Sequence, residues 1–167
     1  MSVFDELLAI KRFRENQAEA AMRHQRSMLR DATAAREAAE TLLQRLLKEG
    51  LQTEHRLYQE LCQRIVHLRD IEQVQQTVAS LRQQEAAQHD TVQATIRAQT
   101  QAQQLLNAAR AEHQHASRQT SKFIDLARAY DATQALEAER KEDLEMEEAA
   151  SITRDREDWE SFHSEEY

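Results

Sequence analysis

Seven histidines and one cysteine are the residues of this 167-residue chain best suited to chemistry, and their spacing argues against it. His113 and His115 stand two apart, so on a helix they point about 200° away from each other. Zinc needs ligands that converge on one point, as histidines at i and i+4 would. Solvated surface imidazoles are the expectation. The acidic run Glu142-Asp-Leu-Glu-Met-Glu-Glu148 can attract a divalent cation loosely, but it lacks the glycine and the ligand spacing of an EF-hand loop. It reads as a charged helix face. Cys62 has no His/Asp relay beside it, and next to Leu61 it reads as a small apolar filler. With Gly50 as the single glycine, no glycine-rich loop can cradle a phosphate. The expectation is a chain without enzymatic chemistry, metal or other cofactor.

Binding is the alternative use of conspicuous side chains. Tyr58 lies on a stretch with Leu57, Leu61 and Ile65, where it either packs or forms part of an exposed partner-binding patch. Trp159 and Phe162 stand among carboxylates in Asp155-Arg-Glu-Asp-Trp-Glu-Ser-Phe-His163. Either this tail folds back, or it is a short disordered binding motif.

These residues must be held by something, and composition says what. The chain has one glycine, no proline, 31% charged residues and 5% aromatic residues. Glycine and proline punctuate chains into turns, so this backbone has almost no built-in stops. Ala, Glu, Gln, Arg and Leu lose little on entering a helix. Such a chain buries a stripe along long helices instead of a broad core.

Charge is concentrated at one end. Residues 137–167 hold 13 acids and 4 bases, a net of −9, which leaves 17 acids and 18 bases elsewhere. No basic block is available to neutralise phosphates, so nucleic acid is disfavoured. The single cysteine allows no intrachain disulfide and suits a reducing compartment. The opening Met1-Ser-Val-Phe-Asp-Glu6 does not read as a secretory signal. No window approaches 18 apolar residues, which excludes membrane insertion as a helix.

Ser2-Val3-Phe4-Asp5 has the pattern of a capping box, with a hydroxyl at the N-cap and a carboxylate three residues on. The first turns then carry Phe4, Leu7, Leu8, Ile10 and Phe13. A seven-residue beat follows, in Ala21, Met28, Ala35 and Leu42 and again in Ala32, Ala39 and Leu46, the a/d stripe of a coiled coil. A second stripe runs through Leu57, Leu61, Ile65, Leu68, Ile71, Val74, Val78 and Leu81. The stretch from Glu85 to Gln104 is diluted by Gln, Thr and His. Apolar character returns at Leu105, Leu106 and Ala109, then at Phe123, Ile124, Leu126 and Tyr130.

Two sites compete for the reversal. One is Gly50, since glycine inside a helix costs about 1 kcal/mol relative to alanine. The other lies about residues 62–69, ahead of Asp70-Ile-Glu-Gln73, where Asp70 reads as an N-cap answered by Gln73. Folding about residue 66 brings Met28 and Leu29 near Leu105 and Leu106, whereas folding about Gly50 leaves everything past residue 100 without a partner. The expected fold is all-α, an elongated two-helix antiparallel coiled-coil hairpin over residues 1–150. Its helices would span about 2–61 and 70–150, and an acidic tail would occupy 151–167. In that register Leu42 and Leu43 meet the apolar-poor stretch Glu85 to Asp90.

Three stretches resemble the YscO family of bacterial type III secretion proteins, whose flagellar relative is FliJ. Leu7-Leu-Ala-Ile-Lys-Arg-Phe-Arg-Glu-Asn-Gln-Ala-Glu19 is similar to the family's N-terminal helix. Leu57-Tyr-Gln-Glu-Leu-Cys-Gln-Arg-Ile-Val-His-Leu-Arg-Asp-Ile-Glu72 is similar to its mid-chain crossing. Lys122-Phe123, followed by Glu137-Ala-Glu-Arg-Lys-Glu-Asp-Leu-Glu-Met-Glu-Glu148, is similar to its acidic C-terminal end. The family's turn often contains Gly-x-Pro, which Cys62-Gln-Arg-Ile65 replaces here.

The resemblance implies a central stalk whose paired termini enter the pore of a hexameric secretion ATPase and stimulate it. It implies a hairpin tip facing an export-gate membrane protein, and contact with export chaperones. The setting would be the bacterial cytoplasm, at the cytoplasmic face of the inner-membrane apparatus. On that reading Phe4, Leu7, Arg12, Arg14, Phe123 and Arg128 would contact the ATPase, and Leu57, Tyr58 and Leu61 the gate. The alternative is a generic coiled-coil adaptor or scaffold. A stator-type stalk is disfavoured by the absence of glycine repeats and of a compact C-terminal domain, and a membrane-surface bundle by the net charge of −8.

Overall fold

The computed structural model describes residues 3–164, with side chains described to Phe162. It consists of two helices, α1 (Val3–Cys62) and α2 (Leu68–Ser164), paired as an antiparallel coiled-coil hairpin. Ser2, the expected N-cap of α1, lies outside the described residues. Contacts divide the chain into one unit spanning Asn16–His115 and another joining Met1–Glu15 to Ala116–Tyr167.

In the Asn16–His115 unit, the buried and half-buried residues of α1 recur at alternating intervals of four and three. They include Ala18, Met22, Gln25, Leu29, Ala32, Arg36, Ala39, Leu43, Leu46, Gly50, Thr53 and Leu57. This is the coiled-coil period of 3.5. Of the two expected series, Ala32, Ala39 and Leu46 lie in the seam. The other is displaced by one residue, because Met22, Leu29, Arg36 and Leu43 face inward where Ala21, Met28, Ala35 and Leu42 were expected. Ala21, Met28 and Ala35 are exposed. The displacement has a physical cause: one of these inward positions is Arg36, which an apolar search passes over in favour of Ala35. Met28 and Ala35 instead line a groove of about 470 Å³ beside the seam, with Ala98 and Leu105 across from them.

The facing stripe of α2 follows the same rule, through Val78, Leu81, Glu85, Gln88, Val92, Thr95, Gln99, Ala102, Leu106 and Ala109. Its two glutamines bond across the seam, whereas Thr95 donates to the Val92 carbonyl of its own helix. Gln99 accepts from Arg36 Nη1 at 2.8 Å and donates to Thr33 Oγ1 at 3.1 Å. Gln88 donates to the Ala39 carbonyl at 3.0 Å. Among the described residues, no buried side-chain nitrogen or oxygen lacks a partner, so these groups avoid the penalty of an unmade bond. Leu106, only 1% exposed, is the most completely buried large side chain.

Gly50 sits within α1, with no positive φ anywhere among the described residues. Its role is steric. A Cβ at this position would run into the Glu85 carboxylate, which lies against the bare backbone. Arg82 bonds Glu85 at 3.0 Å and also pairs with Glu54 of α1. The apolar-poor stretch beginning at Glu85 is thus accommodated by a polar layer at Gly50. Facing two carboxylates, the Arg82 guanidinium holds its proton more tightly than usual, chiefly through the Glu85 hydrogen bond.

The reversal occupies the residues between Cys62 and Leu68. His67 is the N-cap of α2, and its N–H donates to Asp70 Oδ2 at 3.1 Å. Asp70 therefore acts as the N3 half of a capping box, three residues later than the N-cap role expected for it. Cys62, expected as apolar filler, is exposed.

In the other unit, Phe4 lies against Tyr130, with ring centroids 5.0 Å apart. Lys11 Nζ stands 4.9 Å from the centroid of the Phe123 ring. The seam here includes Thr120, 5% exposed, and Ala127, 9% exposed. α2 does not end near residue 150 but continues to Ser164. As far as Ser164, the segment expected to be a folded-back or disordered tail is helix, since neither glycine nor proline interrupts it and i,i+4 pairs such as Arg156–Glu160 suit a helix surface.

Candidate partner-binding surfaces

Two surfaces carry the residues singled out from the sequence. The first belongs to the unit joining both termini, which contains Phe4, Leu7, Arg12, Arg14, Phe123 and Arg128. Phe4 and Phe123 are half-buried, each engaged across the pair by Tyr130 and Lys11 respectively. These contacts link the two arms. Arg12, Arg14 and Arg128 are exposed, and Leu7 is 37% exposed. Phe13 (62%) and Ile10 (49%) add apolar surface beside these residues. Exposed cations beside exposed apolar side chains can meet acidic partner loops, an attraction that weakens with salt.

The second surface surrounds the reversal in the other unit. Leu57 and Leu61 are half-buried members of the seam, whereas Tyr58 is 45% exposed. Tyr58 is thus available to a partner, and its two leucine neighbours serve mainly to place it. Ile65 and Leu68, read from the sequence as parts of a buried stripe, are 97% and 71% exposed. A stripe read at helical spacing assumes an unbroken helix, and the chain leaves the helix at this point. The signal that could have found them is the capping pair His67–Asp70, which places Ile65 in the turn.

Among the described residues, no three His, Cys, Asp or Glu side chains come together where they could hold a metal. His113 is half-buried in the seam instead of solvated, and His115 is exposed. No helix among the described residues is long and apolar enough to cross a membrane.

A model of the family described as Type III secretion protein YscO matches residues 4–152. Among solved structures, the chain is similar to the crystal structure of type III secretion protein YscO from Vibrio parahaemolyticus. The two share 27% identity with a TM-score of 0.81, over 87% of this chain and 91% of that one. No curated protein matches the chain.

Proposed function

The chain belongs to the YscO family of type III secretion proteins, and from that premise we propose that it acts as the central stalk of the secretion machine. On this reading its paired termini enter a hexameric secretion ATPase and stimulate it. The reversal meets an export-gate membrane protein, and export chaperones bind along the way. It works without catalytic chemistry of its own, in the bacterial cytoplasm at the inner-membrane apparatus. The observation that carries the reading is the extent of the family match, which takes in both arms and the reversal. Exposed Arg12, Arg14 and Arg128 in the termini-bearing unit give the ring something to hold.

ATP hydrolysis by the cognate hexamer is the test, at low and moderate salt. The intact protein is expected to raise turnover or promote ring assembly, more strongly at low salt. A variant lacking residues 1–14 should lose the effect while keeping most of its helicity. Full stimulation by that variant would refute insertion of the N-terminal arm. An intact protein without effect on the ring would favour the adaptor reading.

The reversal is tested separately. Tyr58→Ala is expected to weaken binding to the export-gate protein by about 1–3 kcal/mol, as interface anchors do. Because Tyr58 is exposed, melting should barely move. Unchanged affinity with a lowered melting temperature would make Tyr58 a packing residue.

A further inference from the structure

We propose that α2 beyond Tyr130 docks, as a helix, into an apolar groove flanked by lysine and arginine on another protein. Every residue from Asp131 to Phe162 is exposed. Within that stretch Leu144, Ile152 and Phe162 are 60%, 67% and 78% exposed, and Trp159 is 63% exposed. Together with Glu148 and Asp155 they form one row, at successive intervals of four, four, three, four and three residues. From Glu148 onward that is the alternating seam rule of the paired region, repeated on a segment that α1 does not cover. A row of anchors at such spacing is how an amphipathic helix enters a groove.

Charge selects the occupant. Residues 137–167 carry a net of −9, from 13 acids and 4 bases, and Glu148 and Asp155 lie inside the row itself. A second copy would bring an identical acidic helix, and like charges across a helical seam oppose pairing. An anionic membrane surface and nucleic acid are repelled for the same reason. A protein groove rimmed by cations gains on both counts, burying the apolar row and neutralising its flanks. The family match ends at residue 152, so Asp155, Trp159 and Phe162 extend the row beyond the matched region. The inference does not depend on the stalk reading.

The full chain carries its own reporter, because Trp159 is its single tryptophan. The probe is a synthetic helical peptide with leucine at a and d and lysine at e and g, alongside a scrambled peptide of equal charge and a glutamate counterpart. The patterned lysine peptide is expected to shift Trp159 emission to the blue and saturate. Its affinity should fall about tenfold or more as salt rises from roughly 50 to 200 mM. Leu144→Ser/Ile152→Ser, with helicity checked by circular dichroism, should weaken binding about tenfold. Glu137→Gln/Glu139→Gln, off the row, should change it about twofold or less. Equal binding of the scrambled peptide, or undiminished binding by the serine variant, would reduce the effect to bulk charge and overturn the proposal. It is equally overturned if the protein alone self-associates with the same spectral shift, or if phosphatidylglycerol vesicles produce it.

Discussion

Leu106→Ala is expected to destabilise the protein by about 2–4 kcal/mol, the range for emptying a fully buried leucine site. Leu106 is 1% exposed. The interhelical pair Arg36–Gln99 sets a register that places it opposite half-buried Leu29. The flanking seam residues Ala102 and Ala109 are too small to collapse into the gap. The neighbouring Leu105, 49% exposed on the groove side, supplies the control, and its alanine variant should cost about 1 kcal/mol or less. Urea unfolding followed by helicity measures both. A larger loss at Leu105 than at Leu106 would mean that the seam is rotated by one residue in solution.

The second large effect concerns the polar layer. Gly50→Leu alone is expected to cost about 1–3 kcal/mol, because the new side chain occupies the space of the Glu85 carboxylate and drives it from its arginine. Glu85→Ala alone leaves Arg82 with Glu54 only and opens a gap above Gly50. Combined, the two substitutions exchange the carboxylate over Gly50 for an apolar side chain of similar volume, a kind of exchange that is often neutral or stabilising, while Arg82 keeps Glu54. The double variant should therefore recover the single losses, with a coupling of at least about 1 kcal/mol between the sites. Simple additivity would show that Glu85 does not lie over Gly50.

That layer also shows what could be read in advance and what could not. Two long antiparallel helices follow from the near absence of glycine and proline and from the seven-residue spacing of Ala32, Ala39 and Leu46. The facing of Met28 and Ala35 could not be read this way. Their apolar spacing is real but serves the groove, while Arg36 holds an inward position because Gln99, across the pair, satisfies it. Gly50 looked like a candidate break because a lone glycine weakens a helix. Only the proximity of Glu85, distant in sequence, reveals it as a point of close approach. Among the candidate contacts, Phe4 and Phe123 were legible as aromatic residues but not as each other's near neighbours' partners, since Tyr130 and Lys11 reach them from the opposite arm. Ile65 and Leu68 were misread because periodicity carries no mark where a helix stops, whereas the His67–Asp70 cap does.

The same polar layer acts on alignment as well as on stability. A slip of seven residues would keep the helical period but move Glu85 from Gly50 to Leu43 or Leu57. The carboxylate would then be forced against a leucine side chain. One glycine therefore discriminates between registers that the repeating pattern alone would leave nearly equal in energy.

The buried apolar side chains of the described residues are Ala39, Val92, Ala102, Leu106 and Ala127, three of the five being alanine. Unfolding such a seam exposes little hydrocarbon to water, and exposed hydrocarbon is the source of the heat-capacity increase on unfolding. The stability of this protein should consequently vary only gently with temperature, with a broad, shallow maximum and a transition spread over many degrees, in contrast to the steep curve of a globular domain of equal length.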